Sequence, residues 1–192
     1  GLIPFKTYDF QDDCVKDFNS HRFNIILKSR QLGISTLVAA YAVWQACFYK
    51  EKNILIIATK LAVAQNFIRK VKTYIKSMPN WLLVPTIIAN NKQQVEFSNG
   101  SQIKAVPTSE DAGRSEALSL LIVDEAAFVR NFDELWMGLY PTLSTGGRAI
   151  LLSTPNGVGG QYHEIYTKSE RKENEFNSIR LLWDVHPERG DD

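Results

Sequence analysis

The stretch Leu120-Leu121-Ile122-Val123-Asp124-Glu125 is an apolar run that ends abruptly in two adjacent carboxylates. Its apolar and β-branched residues are typical of a strand that is buried on both faces of a parallel sheet. Both acids then lie at the carboxyl edge of the sheet, where open α/β folds bind ligands. Because successive strand residues point in different directions, Asp124 can hold a magnesium ion while Glu125 polarises a water as a general base. Helix capping or salt bridging by the two acids is the alternative interpretation.

A second informative segment lies upstream, where the apolar run Phe23-Asn24-Ile25-Ile26-Leu27-Lys28 is followed by Ser29-Arg30-Gln31-Leu32-Gly33-Ile34-Ser35-Thr36 and a long apolar stretch. This pattern predicts a strand, a turn of the size that holds a phosphate, and a helix whose N-terminus faces that turn. Together with the two carboxylates, it predicts a site for a magnesium-bound nucleotide.

The turn lacks the lysine of a standard phosphate loop, which ends in Gly-Lys-Ser or Gly-Lys-Thr. Ile34 stands at that position and cannot neutralise a triphosphate. Lys28 lies at the other end of the same loop, and its flexible stem is long enough to reach the same oxygens. We therefore predict that Lys28 is the phosphate lysine, that Arg30 adds a second cation, and that Ser35 supplies the hydroxyl that binds magnesium. The alternative is that Lys28 and Arg30 are solvated loop charges.

The composition of the chain restricts the class of protein only broadly. The chain has 192 residues, 44% hydrophobic and 22% charged, which suits one well-packed domain. Its apolar runs are far shorter than the roughly 20 residues that cross a bilayer, and its N-terminus shows no signal segment, so we expect a cytoplasmic protein with no membrane contact. Cys14 and Cys47 are predicted to be buried thiols. The net charge of +1 neither supports nor excludes binding to DNA.

Strand and helix patterns alternate along the chain, which predicts a mainly parallel sheet flanked by helices. An Asn-Gly pair between alternating apolar residues predicts a β-hairpin inserted over 94–106, which we expect to form an edge of the sheet. The predicted strands are 23–27, 53–59, 118–123, 149–153 and 176–183. The predicted helices are 11–19, 35–49, 61–77 and 161–168.

The loop Ser29-Arg30-Gln31-Leu32-Gly33, the segment 121–126 and the run Leu152-Ser153-Thr154-Pro155-Asn156-Gly157 together resemble the ATPase domain of the large terminase subunit of tailed bacteriophages, and most closely that of T4-like phages. The similarity extends from about residue 10 to residue 160. The resemblance implies a P-loop NTPase fold of the additional-strand, catalytic-glutamate (RecA-like) class. Most members have lysine where this chain has Ile34, whereas the deviant loops of lambda-like terminases carry it at the start, as Lys28 does here.

The resemblance also implies functional roles. Gln11 matches the glutamine that reads adenine, with Tyr8 and Phe10 near the base. Arg114 resembles an arginine finger given to the adjacent subunit's nucleotide, although Ser115 replaces the glycine common after it, and an ordinary surface arginine is the alternative. Ser153 and Thr154 would sense hydrolysis and relay it, although strand termination is an alternative. The expected catalytic residues are Glu125, Arg114, Lys28 and Arg30. The expected nucleotide contacts are Gln11, Lys28, Ser29, Arg30, Gln31, Leu32, Gly33, Ile34, Ser35 and Thr36. The expected magnesium ligands are Ser35 and Asp124.

The implied activity is ATP hydrolysis, with ATP and Mg²⁺ as cofactors, that drives double-stranded viral DNA into a procapsid. The implied partners are DNA, the portal protein and the small terminase subunit, in the host cytoplasm, with a ring on the procapsid and a monomer in isolation. We expect residues 1–192 to form one motor domain without the nuclease domain of the family. Arg69, Lys72 and Lys76 share a predicted helix face and are candidate DNA contacts, although a solvated face is the stronger interpretation. The competing functions are a helicase-like motor and a nucleotide-binding assembly switch with little hydrolysis.

Overall fold

Strands and helices alternate along most of the chain in the computed structural model, which describes residues 3–108 and 116–189. The strands are β1 (Phe23–Lys28), β2 (Asn53–Ala58), β3 (Ile87–Asn90), β4 (Gln94–Phe97), β5 (Gln102–Pro107), β6 (Leu120–Asp124), β7 (Arg148–Ser153) and β8 (Phe176–Leu181). The helices are α1 (Asp9–Ser20), α2 (Ile34–Phe48), α3 (Leu61–Ser77), α4 (Phe132–Leu139) and α5 (Gly160–Glu170). Single turns of 3-10 helix follow β6, α4 and β8, the last of them at Pro187–Arg189.

The eight strands form one sheet in the order β3-β4-β5-β2-β6-β7-β1-β8. All neighbouring pairs from β5 to β8 are parallel, so the prediction of a mainly parallel sheet is confirmed. Strand β7 lies between β1, which leads into the loop, and β6, which ends in the two acids. This inserted strand is the defining feature of the additional-strand class predicted above. The carboxyl end of β7 therefore lies between the loop after β1 and the two acids at the end of β6.

The predicted hairpin is formed by β4 and β5, which pair antiparallel. Its turn places only Gly100 at positive φ, at 83°, whereas Asn99 keeps a negative φ. The expectation that the hairpin forms the sheet edge is wrong, because β3 pairs with the outer side of β4. Strand β3 escaped prediction because it is only four residues long and three of them are exposed, so it carries no alternating pattern.

The sheet has an apolar core on each face, as expected for buried parallel strands. Helices α1, α2 and α3 cover one face, and α4 and α5 cover the other. Along β1, for example, Ile25 belongs to one core and Ile26 to the other. Helix α4 was not predicted from the sequence, although its buried Phe132, Leu135 and Leu139 have helical spacing. The two covered faces hold the loop and the acids at one rigid edge.

Both cysteines are buried thiols, as predicted. Burial raises the pKa of Cys14 to about 12 and that of Cys47 to about 11, so neither is a thiolate near neutral pH. Within residues 3–108 and 116–189, no helix combines the length and the apolar character needed to cross a membrane.

Candidate nucleotide-binding site

The loop between β1 and α2 bends tightly around the N-terminus of the helix. Gln31 and Gly33 have positive φ angles of 59° and 70°, and α2 begins at Ile34. The positive φ favours glycine at position 33, and a Cβ atom there would also approach the Gln11 amide nitrogen to 2.8 Å, so that this side chain would have to shift. The first N–H groups of α2 have no partner within the helix and point into the loop, which favours an anion there.

Lys28 points into this site and not into solvent. Its side chain is only 8% exposed, and its ammonium lies 3.4 Å from Oε1 of Glu125. Position 28 corresponds to the first glycine of a standard phosphate loop, so the side chain of Lys28 starts where β1 ends and the loop begins. The structure thus brings Lys28 and Glu125 together from two different strands. The role of Lys28 on a phosphate stays a prediction.

Ser35 and Asp124 face each other across the same edge. The Ser35 hydroxyl lies 3.4 Å from both carboxylate oxygens of Asp124. Burial raises the pKa of the Asp124 carboxyl, and nearby Glu125 raises it further, while the Lys28 ammonium and the backbone N–H of Glu125 act in the opposite direction. A hydroxyl and a carboxylate are hard oxygen donors of the kind that Mg²⁺ prefers, so this pair fits the predicted metal. The buried negative charge also favours a cation.

Glu125 is held in one orientation mainly by two donors of Thr154. Its Oε2 accepts hydrogen bonds from the Thr154 hydroxyl at 3.0 Å and from the Thr154 backbone N–H at 3.3 Å. The Ser153 hydroxyl lies 3.3 Å from the same oxygen, but its closer acceptor is the Thr154 carbonyl at 2.8 Å. Its backbone has φ of 50°, a left-handed conformation that is uncommon for a residue other than glycine. Ser153 also accepts a hydrogen bond from the N–H of Ala127 at 3.2 Å. Ser153 and Thr154 therefore connect the end of β7 to the carboxylate at the end of β6.

Glu125 lines a cavity of about 660 Å³. Arg30 and Thr154 line this cavity, together with Lys60 and Arg130, which were not predicted as site residues. Lys60 follows the carboxyl end of β2, so the rule that parallel strands end at one edge could have identified it from the sequence. The cavity places two further cations on the side where the expected base is exposed.

Gln11 is buried beside the loop, at 3% exposure. Its Oε1 accepts from the N–H of Tyr8 at 3.1 Å, and its Nε2 donates to the carbonyl of Leu32 at 3.0 Å. It lines a second cavity, of about 410 Å³, with Tyr8, Gly33 and Thr36. The Gln11 amide thus stabilises the loop through its hydrogen bond to Leu32. Its role in reading adenine stays a prediction. The Tyr8 and Phe10 rings stack on each other with centroids 5.9 Å apart.

Two cations approach the loop from distant parts of the chain, and neither was predicted. Arg189 donates to the carbonyls of Arg30 and Gln31, at 3.3 and 3.2 Å. Lys70, on α3, donates to the Thr36 hydroxyl at 3.2 Å. Burial lowers the pKa of Lys70, with Asp124 opposing the shift. No local pattern marks either residue, because each is brought to the loop only by the packing of the whole domain.

The remaining predicted residues are Arg114 and the three cations of α3. Arg114 lies outside the described residues. On α3, Lys72 donates to the carbonyl of Asn91 at 2.8 Å, whereas Arg69 and Lys76 are exposed. Contact of these three side chains with DNA stays a prediction.

The fold and this edge define a class of protein. A parallel sheet in which β7 separates β1 from β6, with a phosphate-type loop after β1 and two acids after β6, is a P-loop NTPase fold of the additional-strand class. A family model described as "Terminase large subunit, T4likevirus-type, N-terminal" matches residues 25–188. The chain belongs to this family, which separates it from the helicase-like motors considered above.

Solved structures agree with this assignment at the level of the fold. The large terminase ATPase domain of Thermus phage P74-26 has a TM-score of 0.75 at 21% identity, covering 97% of this chain and 85% of that one. The large terminase of bacteriophage HK97 gives 0.75 at 14% identity, with 94% of this chain and 40% of that chain covered. A large terminase from a thermophilic bacteriophage, solved in complex with ATP-gamma-S, gives 0.71 at 12% identity, with coverage of 94% and 46%. The chain thus spans less than half of these two longer relatives.

Proposed function

We propose that this chain hydrolyses Mg-ATP at the carboxyl edge of β1, β6 and β7, and that hydrolysis moves double-stranded viral DNA into a procapsid. The observation that carries the proposal is the convergence of Lys28, Ser35, Asp124, Glu125 and Thr154. These side chains come from three strand ends and one helix, yet each lies within 3.4 Å of another member of the group. A relative with the same fold was solved in complex with ATP-gamma-S, which supports nucleotide binding by this chain.

Each residue of the group has a distinct task in this proposal. Ser35 and Asp124 would hold Mg²⁺, which neutralises phosphate charge in this chemistry. Lys28 and Arg30 would compensate the negative charge that develops on the transferred phosphoryl group. Glu125 would orient the attacking water and accept its proton, since it lines the 660 Å³ cavity while the hydroxyl and N–H of Thr154 fix its carboxylate. The side chain is one-third exposed, so water has access to it.

The remaining parts of the proposal rest on the family. We infer that the domain acts on DNA in a ring assembled with the portal protein and the small terminase subunit, in the host cytoplasm, and that it is a monomer in isolation. Arg114 is proposed as a finger that acts on a neighbouring subunit's nucleotide. In that case, an Arg114→Ala subunit mixed with a Glu125→Ala subunit regains part of the activity that each lacks alone. Mixtures with no activity would exclude a finger that acts between subunits.

Steady-state ATP hydrolysis tests the enzymatic part of the proposal. Wild type, Lys28→Ala and Glu125→Ala are compared at high protein concentration, with and without double-stranded DNA. We expect losses of at least ~10²-fold in both variants, the scale for removing one key transition-state group. Lys16→Ala and Glu164→Ala are matched controls, because each removes one partner of an exposed ion pair within a single helix, α1 or α5. Unchanged turnover in Lys28→Ala would overturn the loop assignment.

The assembly switch is the second candidate, and two observations favour it. Ile34 replaces the usual phosphate lysine, and the Lys28 ammonium is paired with Glu125, the expected base. Under this function ATP binds and alters assembly, but turnover is very low and does not depend on Glu125. The same hydrolysis experiment separates the two functions, because only the motor loses activity in Glu125→Ala.

A further inference from the structure

Lys70 is a cation of the nucleotide site region that neither the sequence pattern nor the proposed mechanism uses. It lies on α3, 36 residues after the loop lysine position Ile34, and its ammonium donates to the Thr36 hydroxyl at 3.2 Å. Thr36 is in the first turn of α2, where the free N–H groups attract an anion. Tyr74, one turn further along α3, donates to the Thr36 carbonyl at 3.2 Å and fixes this part of the interface.

The Asp124 carboxylate attracts the Lys70 ammonium but forms no salt bridge with it. Among residues 3–108 and 116–189, no carboxylate lies within 4 Å of its ammonium, and the nearest aromatic partner, the Phe67 ring, has its centroid 5.7 Å away. The side chain is partly buried against α2. A partly buried ammonium without a close counter-ion is costly unless an anion approaches it. The only strong anion that the proposed function brings to the first turn of α2 is the polyphosphate.

The positions of the cations along the site indicate which phosphate each would meet. Lys28 lies beside Glu125, the expected base, and so at the end of the site where the terminal phosphate is cleaved. Thr36 instead lines the 410 Å³ cavity that also contains Tyr8 and Gln11, at the end where a nucleoside would lie. Lys70, which contacts Thr36, is therefore closest to the phosphates next to the ribose.

We propose that Lys70 is a nucleotide-binding residue that places a second ammonium on the phosphates next to the ribose, and so supplies from α3 part of the charge missing at Ile34. This inference rests on the proposed nucleotide site. It divides the charge of the usual single loop lysine between Lys28 and Lys70. Binding of ADP and ATP then depends equally on Lys70, because the terminal phosphate is not its partner.

Calorimetric titration with ADP and with ATP-gamma-S, in the presence of magnesium, tests the inference. The key variant is Lys70→Gln, which keeps a hydrogen-bond donor for Thr36 but removes the charge. We expect both affinities to fall about tenfold or more, by similar factors, because a hydrogen bond to a charged group is lost. Lys70→Arg should retain most of the affinity. In Lys28→Gln, by contrast, the loss should be larger for ATP-gamma-S than for ADP.

Lys52→Gln is the matched control. The Lys52 ammonium also lies over an aromatic ring, that of Tyr49 at 5.5 Å, but it precedes β2 and is at the opposite edge of the sheet. Wild-type affinity in Lys70→Gln, or a loss equal to that of Lys52→Gln, would overturn the inference. Melting temperatures without nucleotide show whether Lys70→Gln is folded, and Lys70→Met replaces it if it is not. Failure of the wild type to bind either nucleotide would instead refute the proposed function itself.

Discussion

The ammonium of Lys28 lies 3.4 Å from Oε1 of Glu125, so the expected phosphate lysine and the expected catalytic base are paired across two strands. The pair is partly buried, with side chains 8% and 33% exposed. A triphosphate must compete with Glu125 for the lysine and must also approach the negative charge of that carboxylate. The ion pair therefore opposes nucleotide binding while it holds both groups in place.

Glu125→Gln should consequently bind ATP-gamma-S more tightly than the wild type while losing hydrolysis. We expect a gain of up to about fivefold, the scale of about 1 kcal/mol for a partly exposed ion pair. Calorimetric titration at moderate salt measures it. The double variant Lys28→Met/Glu125→Gln should lose the gain, because the lysine that it frees is gone. Equal affinity in wild type and Glu125→Gln would mean that the pair is not broken by the nucleotide.

Thr154 should control turnover more than binding. Its hydroxyl and its N–H both donate to Oε2 of Glu125, at 3.0 and 3.3 Å, so the hydroxyl contributes to orienting the base. Thr154→Val keeps the shape of the side chain and removes that donor, and we expect kcat to fall about tenfold or more with little change in KM. Thr154→Ser should restore most of the rate. A change in KM at constant kcat would instead assign Thr154 to substrate binding.

Asp124→Asn should make the nucleotide-free protein more stable. Burial raises the pKa of Asp124, which shows that its charged form is disfavoured in the fold. Asparagine removes the charge and can still accept from the Glu125 N–H, now 3.1 Å from Oδ1 of Asp124. Each kcal/mol recovered raises Tm by about 2–4 °C in a chain of this size. The same variant should lose the magnesium dependence of nucleotide binding.

Thermal melting in a chelator, and titration with and without magnesium, check both parts of this expectation. Asp133→Asn is the control, because Asp133 is exposed in the first turn of α4 and its charge is favourable there. It should leave Tm unchanged or slightly lower. A lower Tm in Asp124→Asn would mean that the attraction of Lys28 outweighs the cost of burying the carboxylate.

The parts of the site that the sequence predicts are those governed by local rules. Apolar strands that end in a polar residue place Lys28, Asp124 and Ser153 at one edge, because parallel strands share their carboxyl ends. The insertion of β7 between β1 and β6 was implied by the family resemblance and not by the residue pattern. The shared carboxyl edge of the strands and the burial of the two cysteines agree with the pattern itself. These features depend on periodicity and on strand ends, which a single sequence displays directly.

The parts that the sequence does not predict depend on packing between distant segments. Lys70 reaches Thr36 only because α3 lies against α2, and Arg189 reaches the loop only because the chain returns after β8. Strand β3 has three exposed residues out of four, so pairing with β4 and not burial determines its conformation. Such contacts leave no periodic signal in the residues that make them.

Substitution of Ile34 tests whether a lysine at position 34, the usual place in a phosphate loop, can take over the role proposed for Lys28. Its side chain is only 1% exposed and belongs to the apolar core on the face covered by α2. Ile34→Lys must therefore either bury an ammonium or pull the side chain out of the core, and each costs on the order of 1–3 kcal/mol. We expect Tm to fall by several degrees. Ile34→Val, which stays apolar, should change it much less.

The double variant Lys28→Ala/Ile34→Lys should accordingly remain as inactive as Lys28→Ala in the hydrolysis assay. The lysine at position 34 begins from a buried site on α2, whereas the Lys28 stem begins below the loop and already faces Glu125. Recovery of turnover in the double variant would show that the first turn of α2 can turn its side chain toward the phosphates. In that case the core would accommodate the loss of Ile34. Packing of the core would then not be the reason why the phosphate lysine of this chain is at the start of the loop.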